Sequence, residues 1–150
     1  MHWSDEAACA GFAQALAAQP ALAESFIELQ GPLGAGKTTF VRHLLRALGV
    51  EGRIKSPTYA VMEPHVLADG RAVSHFDFYR FTDPREWEDA GFREVFAEPG
   101  LKIAEWPEKA AARLPVADLR IVIEPLDETQ REVALQALTA RGVGLLEALR

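Results

Sequence analysis

The sequence predicts an α/β fold in three layers, with helices on both sides of a central sheet that mixes parallel and antiparallel strands. Three observations predict it. Around residues 25–48 a strand-like run passes through a glycine-rich turn into a helix-like run, the order that builds a parallel sheet. Asp69-Gly70 is a hairpin signal between two strand-like runs. Leu119–Glu124 and Val133–Leu138 are two further β runs joined by a polar segment, which reads as a second hairpin.

Ser4-Asp5-Glu6 opens the first helix with an N-cap candidate and acids in its first turn. Ala7, Ala8, Ala10, Phe12, Ala13 and Leu16 follow, and Pro20 comes after the end. Ser25–Gln30 then alternates polar and apolar residues at β spacing. Next stands Gly31-Pro32-Leu33-Gly34-Ala35-Gly36-Lys37-Thr38, followed by Thr39, which fits G-x-x-x-x-G-K-[ST]. Glycines let backbone N–H groups curl around a phosphate. Lys37 supplies a point charge for β- and γ-phosphates, and the Thr38 hydroxyl is a ligand suited to Mg²⁺. Phe40, Val41, Leu44, Leu45 and Leu48 recur at helical spacing, and Gly49 reads as the stop. The helix N-terminus thus points its free N–H groups at the bound anion. An ordinary glycine-rich turn needs neither the lysine, the threonine nor these flanks, so the stretch is read as a nucleotide site in a P-loop NTPase-like fold.

Glu51–Lys55 is a polar connector into Ser56-Pro57-Thr58-Tyr59, where Pro57 holds Ser56 extended. Thr58 stands at a strand entrance. It is either a β-forming residue in a turn or a switch-like contact to Mg²⁺ and the γ-phosphate. After the Asp69-Gly70 turn, alternation puts Val73, His75, Asp77 and Tyr79 on one face and Ser74, Phe76 and Phe78 on the other. Asp77 is then either a solvated strand end or a placed base. Thr82-Asp83-Pro84 starts a short helix closed by Gly91, and Phe92, Val95 and Phe96 form an apolar cluster before Pro99-Gly100. Leu101–Glu105 is a short apolar strand ending in an acid, as in a Walker B element, whose carboxylate holds Mg²⁺ directly or through water. The alternative is that Glu105 caps the segment beginning at Pro107. A short helix through Ala110, Ala111 and Ala112 leads to Leu114-Pro115, Pro125 stops the next strand, and Val143–Leu149 forms a C-terminal helix after Gly142.

Composition bounds what such a chain does. One hundred and fifty residues suggest one domain, with 49% hydrophobic and 25% charged residues as in ordinary globular proteins. The apolar runs are too short to span a bilayer and no signal peptide opens the chain, which points to the cytoplasm. A lone cysteine, Cys9, rules out an internal disulfide and a cysteine-cluster metal site. The net charge of −6 argues against a large basic surface that grips nucleic acid directly.

Four words now carry a resemblance: Gly34-Ala35-Gly36-Lys37-Thr38-Thr39-Phe40, Lys55-Ser56-Pro57-Thr58-Tyr59, His75-Phe76-Asp77-Phe78-Tyr79-Arg80 and Glu105-Trp106-Pro107. In this order and spacing, over nearly the whole chain, the sequence resembles the TsaE family, bacterial ATPases of the tRNA threonylcarbamoyladenosine pathway. The resemblance implies a mixed-sheet P-loop fold that binds Mg·ATP. It implies that Gly34, Ala35, Gly36, Lys37, Thr38 and Thr39 cradle phosphates and that Thr38 with Glu105 holds Mg²⁺. It gives Asp77 a nucleotide-site role, positioning the attacking water, and makes Lys37, Asp77 and Glu105 the catalytic set. Thr58 takes the switch-like position and Trp106 lies beside the metal-binding acid. The segment around Ser4 to Glu6 and the segment near Gln130 and Arg131 border the adenine. The resemblance implies action with a complex of TsaD and TsaB, with ATP hydrolysed to reset that complex, so low intrinsic activity, a monomer alone, and tRNA reached only through the complex are expected.

Two other readings compete. A small-molecule or nucleoside kinase shares the P-loop, but no second Arg-rich lid is present and little chain remains for an acceptor pocket. A non-catalytic nucleotide-sensing scaffold would bind ATP without turnover. A GTPase is disfavoured because N-K-x-D needs an asparagine and the chain has none.

Overall fold

Strand alternation sorts the apolar side chains onto two faces of one sheet, and a separate core forms on each. The computed structural model describes residues 1–57, 61–83 and 85–149. In chain order it contains β1 (His2–Trp3), α1 (Glu6–Ala17), a 3-10 turn (Pro20–Glu24), β2 (Phe26–Gln30), α2 (Lys37–Ala47), β3 (Met62–Val66) and β4 (Ala72–Asp77). There follow α3 (Arg85–Asp89), α4 (Phe92–Ala97), β5 (Leu101–Glu105), a second 3-10 turn (Pro107–Ala110), β6 (Leu119–Pro125), β7 (Arg131–Ala137) and α5 (Ala140–Ala148). Among the described residues the strands form one sheet in the order β1-β7-β6-β2-β5-β4-β3. β6, β2, β5 and β4 run parallel, while β3 pairs antiparallel with β4, β7 with β6, and β1 with β7. The predicted mixed sheet and both hairpins are therefore present.

On one face Ile27, Leu29, Ile103, Ile121 and Ile123 pack against Leu16 of α1, Phe40, Leu44 and Leu45 of α2, and Leu145 of α5. The helical stripe read from the sequence is the buried stripe of α2, and Gly49 just past its end has φ 96°. On the other face Phe26, Phe76, Phe78, Phe81, Trp87, Phe92 and Ala104 form an aromatic core. Here Phe96 stacks on Phe76 at 4.8 Å and meets Phe26 edge-on at 4.9 Å. α3 and α4 have five and six residues. Helices this short do not hold themselves together in water, so these rings are what keeps them formed. That is why the sequence showed only an apolar cluster at 92–96.

β2 lies in the middle of the sheet, and its polar residue Glu28 is buried along with the apolar ones. Arg120, its register partner on β6, satisfies it with Nε 2.5 Å from Oε1. No described helix is long and apolar enough to cross a membrane.

Several local expectations change. The first helix is capped by Asp5, whose Oδ1 accepts from Ala8 N–H at 2.9 Å. The segment after Pro107 is a single 3-10 turn. β1, too short to show a period, pairs Trp3 with Arg131 and was not visible in the sequence. The last helix starts at Ala140 rather than after Gly142, with the Thr139 side chain accepting from Gly142 N–H at 3.1 Å. Gly142 thus lies inside the helix rather than before it. A Cβ there would lie 1.8 Å from the Asp118 carbonyl oxygen, so glycine is required for α5 to approach the sheet. Gly142→Ala is therefore expected to destabilise by about 1–3 kcal/mol, although alanine favours a helix by about 1 kcal/mol over glycine. Thermal unfolding checks the sign; a raised Tm would show that the contact yields easily.

Candidate functional site

The C-terminal ends of β2, β4 and β5 meet at the N-terminus of α2, the rim where open α/β sheets bind ligands. The loop from Gly31 to Gly36 leaves β2 there. Gly36 precedes α2 at φ 102°, a conformation a side chain would oppose, and no side chain caps the helix at that position. Its first N–H groups are left for an anion. Lys37 is buried; its Nζ donates to the Gly31 carbonyl and lies 3.7 Å from the centre of the Trp106 ring. Burial lowers the Lys37 pKa, while the carboxylates of Glu105, Glu108 and Asp77 pull it the other way.

Thr38 Oγ1 donates to Glu105 Oε1 at 2.9 Å. The other carboxylate oxygen, Oε2, lies 2.6 Å from His75 Nε2, with both side chains 2% exposed. Glu105 therefore does not cap the turn after it; Trp106 occupies that cap position, at φ 55°. Asp77 is the register partner of Glu105 across β4 and β5. Its Oδ1 accepts from Tyr79 N–H at 2.9 Å, and its backbone N–H donates to Val61 at 2.8 Å. Burial raises the Asp77 pKa first, Glu105 adds to it, and the Tyr79 N–H, His75 and Lys37 oppose it. Asp77 is thus a half-buried, held acid rather than a free strand end.

Two adjoining hollows open on this rim. One, of about 330 Å³, is lined by the loop, Lys37, Thr38, Thr39, Asp77, Glu105 and Trp106. The other, of about 270 Å³, lies between α1, the loop and the β6–β7 turn, and is lined by Trp3, Glu6, Cys9, Thr129 and Arg131 among others. Ala35, Gly36, Thr39 and Arg131 line both. Arg131 Nε donates to the Ala35 carbonyl at 2.8 Å, and its Nη1 donates to the Asp127 and Gln130 carbonyls. It ties the β6–β7 turn to the loop. Buried Trp3 leaves its indole N–H without an acceptor among the described residues.

These groups suit phosphate and a hard cation. Thr38 and Glu105 offer oxygen, the ligand type Mg²⁺ takes, and Mg²⁺ completes its shell with water and phosphate oxygens. No group of three or more His, Cys, Asp and Glu residues that could hold a metal occurs among the described residues, and Mg²⁺ bound beside phosphates does not need one.

A family model described as threonylcarbamoyl adenosine biosynthesis protein TsaE matches residues 3–133. The chain belongs to the TsaE family. Members named tRNA threonylcarbamoyladenosine biosynthesis protein TsaE resemble it over most of its length. The Haemophilus influenzae protein is 40% identical over 122 residues, 81% of this chain and 76% of its own. The Bacillus subtilis protein is 36% identical over 124 residues, 82% of this chain and 76% of its own. A solved crystal structure, Bacillus subtilis YdiB, matches with a TM-score of 0.78 and 29% identity, covering 99% of this chain and 91% of that one. The family's role lies in the biosynthesis of threonylcarbamoyladenosine in tRNA.

Of the residues that the TsaE resemblance singled out, Gly34, Ala35, Gly36, Lys37, Thr38, Thr39, Asp77, Glu105 and Trp106 come together around one hollow. Glu6 and Arg131 meet at the other, with Glu6 Oε1 3.0 Å from His43 Nε2. Thr58 lies outside the described residues. Sequence reasoning missed Trp3, Tyr79 and His75 as parts of the site. For His75 the signal was available: alternation had put it on the same face of β4 as Asp77.

Proposed function

We propose that this chain is a Mg²⁺-dependent ATPase that acts in the cytoplasm with TsaD and TsaB in modifying tRNA. One observation carries the reading: a lysine and a hydroxyl from α2 and two carboxyls from the parallel strands β4 and β5 converge on the mouth of a phosphate-sized glycine loop. The loop N–H groups and the α2 N-terminus hold the phosphate chain. Lys37 leaves the Gly31 carbonyl for the β- and γ-phosphates and neutralises charge that builds on the transferring group. Thr38 and Glu105 would hold Mg²⁺, which when bound would supply positive charge to offset that of the β- and γ-phosphates. Asp77, ionised, orients the attacking water and takes up its proton. The second hollow receives the adenosine, bordered by Glu6 and Arg131.

The test is ATP hydrolysis by the purified chain, alone and with TsaD, TsaB and tRNA. Slow turnover that rises on adding the complex is expected. A rate indifferent to all three additions would count against coupling, and phosphoryl transfer to a small acceptor would favour a kinase instead.

A further inference from the structure

We propose that His75 is a positioning residue for the Glu105 carboxylate, fixing which oxygen faces Thr38 and so preparing the metal site. The inference rests on the Mg·ATP reading above. Val73, His75 and Asp77 alternate onto one face of β4, the face on which Val73 joins the core of α2, and β4 runs parallel to β5, which ends at Glu105. Glu105 is 2% exposed and uses both oxygens: Oε2 lies 2.6 Å from His75 Nε2, and Oε1 accepts from Thr38 at 2.9 Å. A carboxylate that holds a metal is ionised and only accepts, so in the proposed site Nε2 is the donor of this pair. The other ring nitrogen, Nδ1, is buried with no partner among the described residues, which leaves Glu105 as the ring's hydrogen-bond partner there. His75 is not among the residues lining the phosphate hollow, so it acts through Glu105 rather than on the nucleotide.

Without the imidazole, Oε2 would be a buried acceptor with no other donor among the described residues, and the carboxylate would turn to recover a bond. The oxygen presented beside Thr38 would then no longer be set before metal arrives. A histidine kept only to fill space has no reason to donate to the one buried carboxylate that Thr38 also meets. Outer partners of this kind, when removed, typically cost about 10–100-fold in metal affinity.

The experiment uses the full chain, a non-hydrolysable ATP analogue and Mn²⁺ as a paramagnetic substitute for Mg²⁺, with bound Mn²⁺ read by its spectrum. In His75→Leu, Mn²⁺ affinity is expected to fall about 10–100-fold, while binding of the analogue in metal-free buffer stays unchanged. His75→Gln, whose amide N–H reaches close to the Nε2 position, is expected to recover most of the loss. A leucine variant that binds Mn²⁺ like the unaltered chain overturns the proposal, and so does a folded glutamine variant as weak as leucine. If His75→Leu does not fold, His75→Asn, polar but too short to reach Glu105, takes its place with the same loss expected, and unaltered Mn²⁺ affinity there overturns the proposal. Failure of the unaltered chain to bind Mn²⁺ with the analogue overturns the Mg·ATP reading itself, and this shows before any variant is made.

Discussion

Lys37→Ala is expected to lower ATP turnover by at least about 10²–10³-fold, the cost of removing one preorganised group that meets developing transition-state charge. The fold is expected to survive. Burial already disfavours the charged lysine, and its bond is to a single loop carbonyl, so removing it relieves one cost as it creates another. Phosphate release measured alongside thermal unfolding separates the two effects. Turnover at the original rate in a folded variant would show that Lys37 does not meet the transferring group.

Asp77→Asn is expected to reduce kcat by about 10²–10⁴-fold, the range for a positioned acid or base, with little change in Mg·ATP binding. The pH profile gives a second signature. Because burial raises the Asp77 pKa, the carboxylate that the proposed mechanism uses to orient water is lost at a higher pH than an exposed aspartate would allow. Turnover should therefore fall as pH drops through that raised value, and the residual activity of the asparagine variant should lack this limb. Stability moves the opposite way. The folded carboxyl holds its proton more tightly than the unfolded one, so ionisation opposes folding above the raised pKa and this opposition vanishes as pH falls. At neutral pH the asparagine variant should then unfold at the same temperature or a higher one. Loss of ATP binding together with turnover would mean that Asp77 holds the nucleotide rather than the water.

How much of this was legible in the sequence depends on the reach of each signal. The loop, α2 and the Asp69-Gly70 hairpin follow from residues within a few positions of one another, and the sequence located them all. Alternation along β4 and β5 put Asp77 and Glu105 at strand ends, but it could not show that the strands are neighbours in register. That adjacency is what turns a local choice between cap and ligand at Glu105 into a contact with Thr38 and His75. β1 was invisible because two residues carry no period, yet it brings Trp3 to the second hollow. Gly142 was misread because the close approach that demands glycine comes from Asp118, distant in sequence.

The parallel strands give the molecule two unlike ends. The β3–β4 turn at residues 67–71 precedes β4, while Asp77 closes that strand, so the turn and the phosphate hollow are separated by about 20 Å of extended chain. A fluorophore or surface tether placed at Asp69 would sit away from that hollow and is expected to leave nucleotide binding there undisturbed. The β6–β7 turn offers no such freedom, since Arg131 anchors it to the loop. A label there would be a handle on the machinery itself.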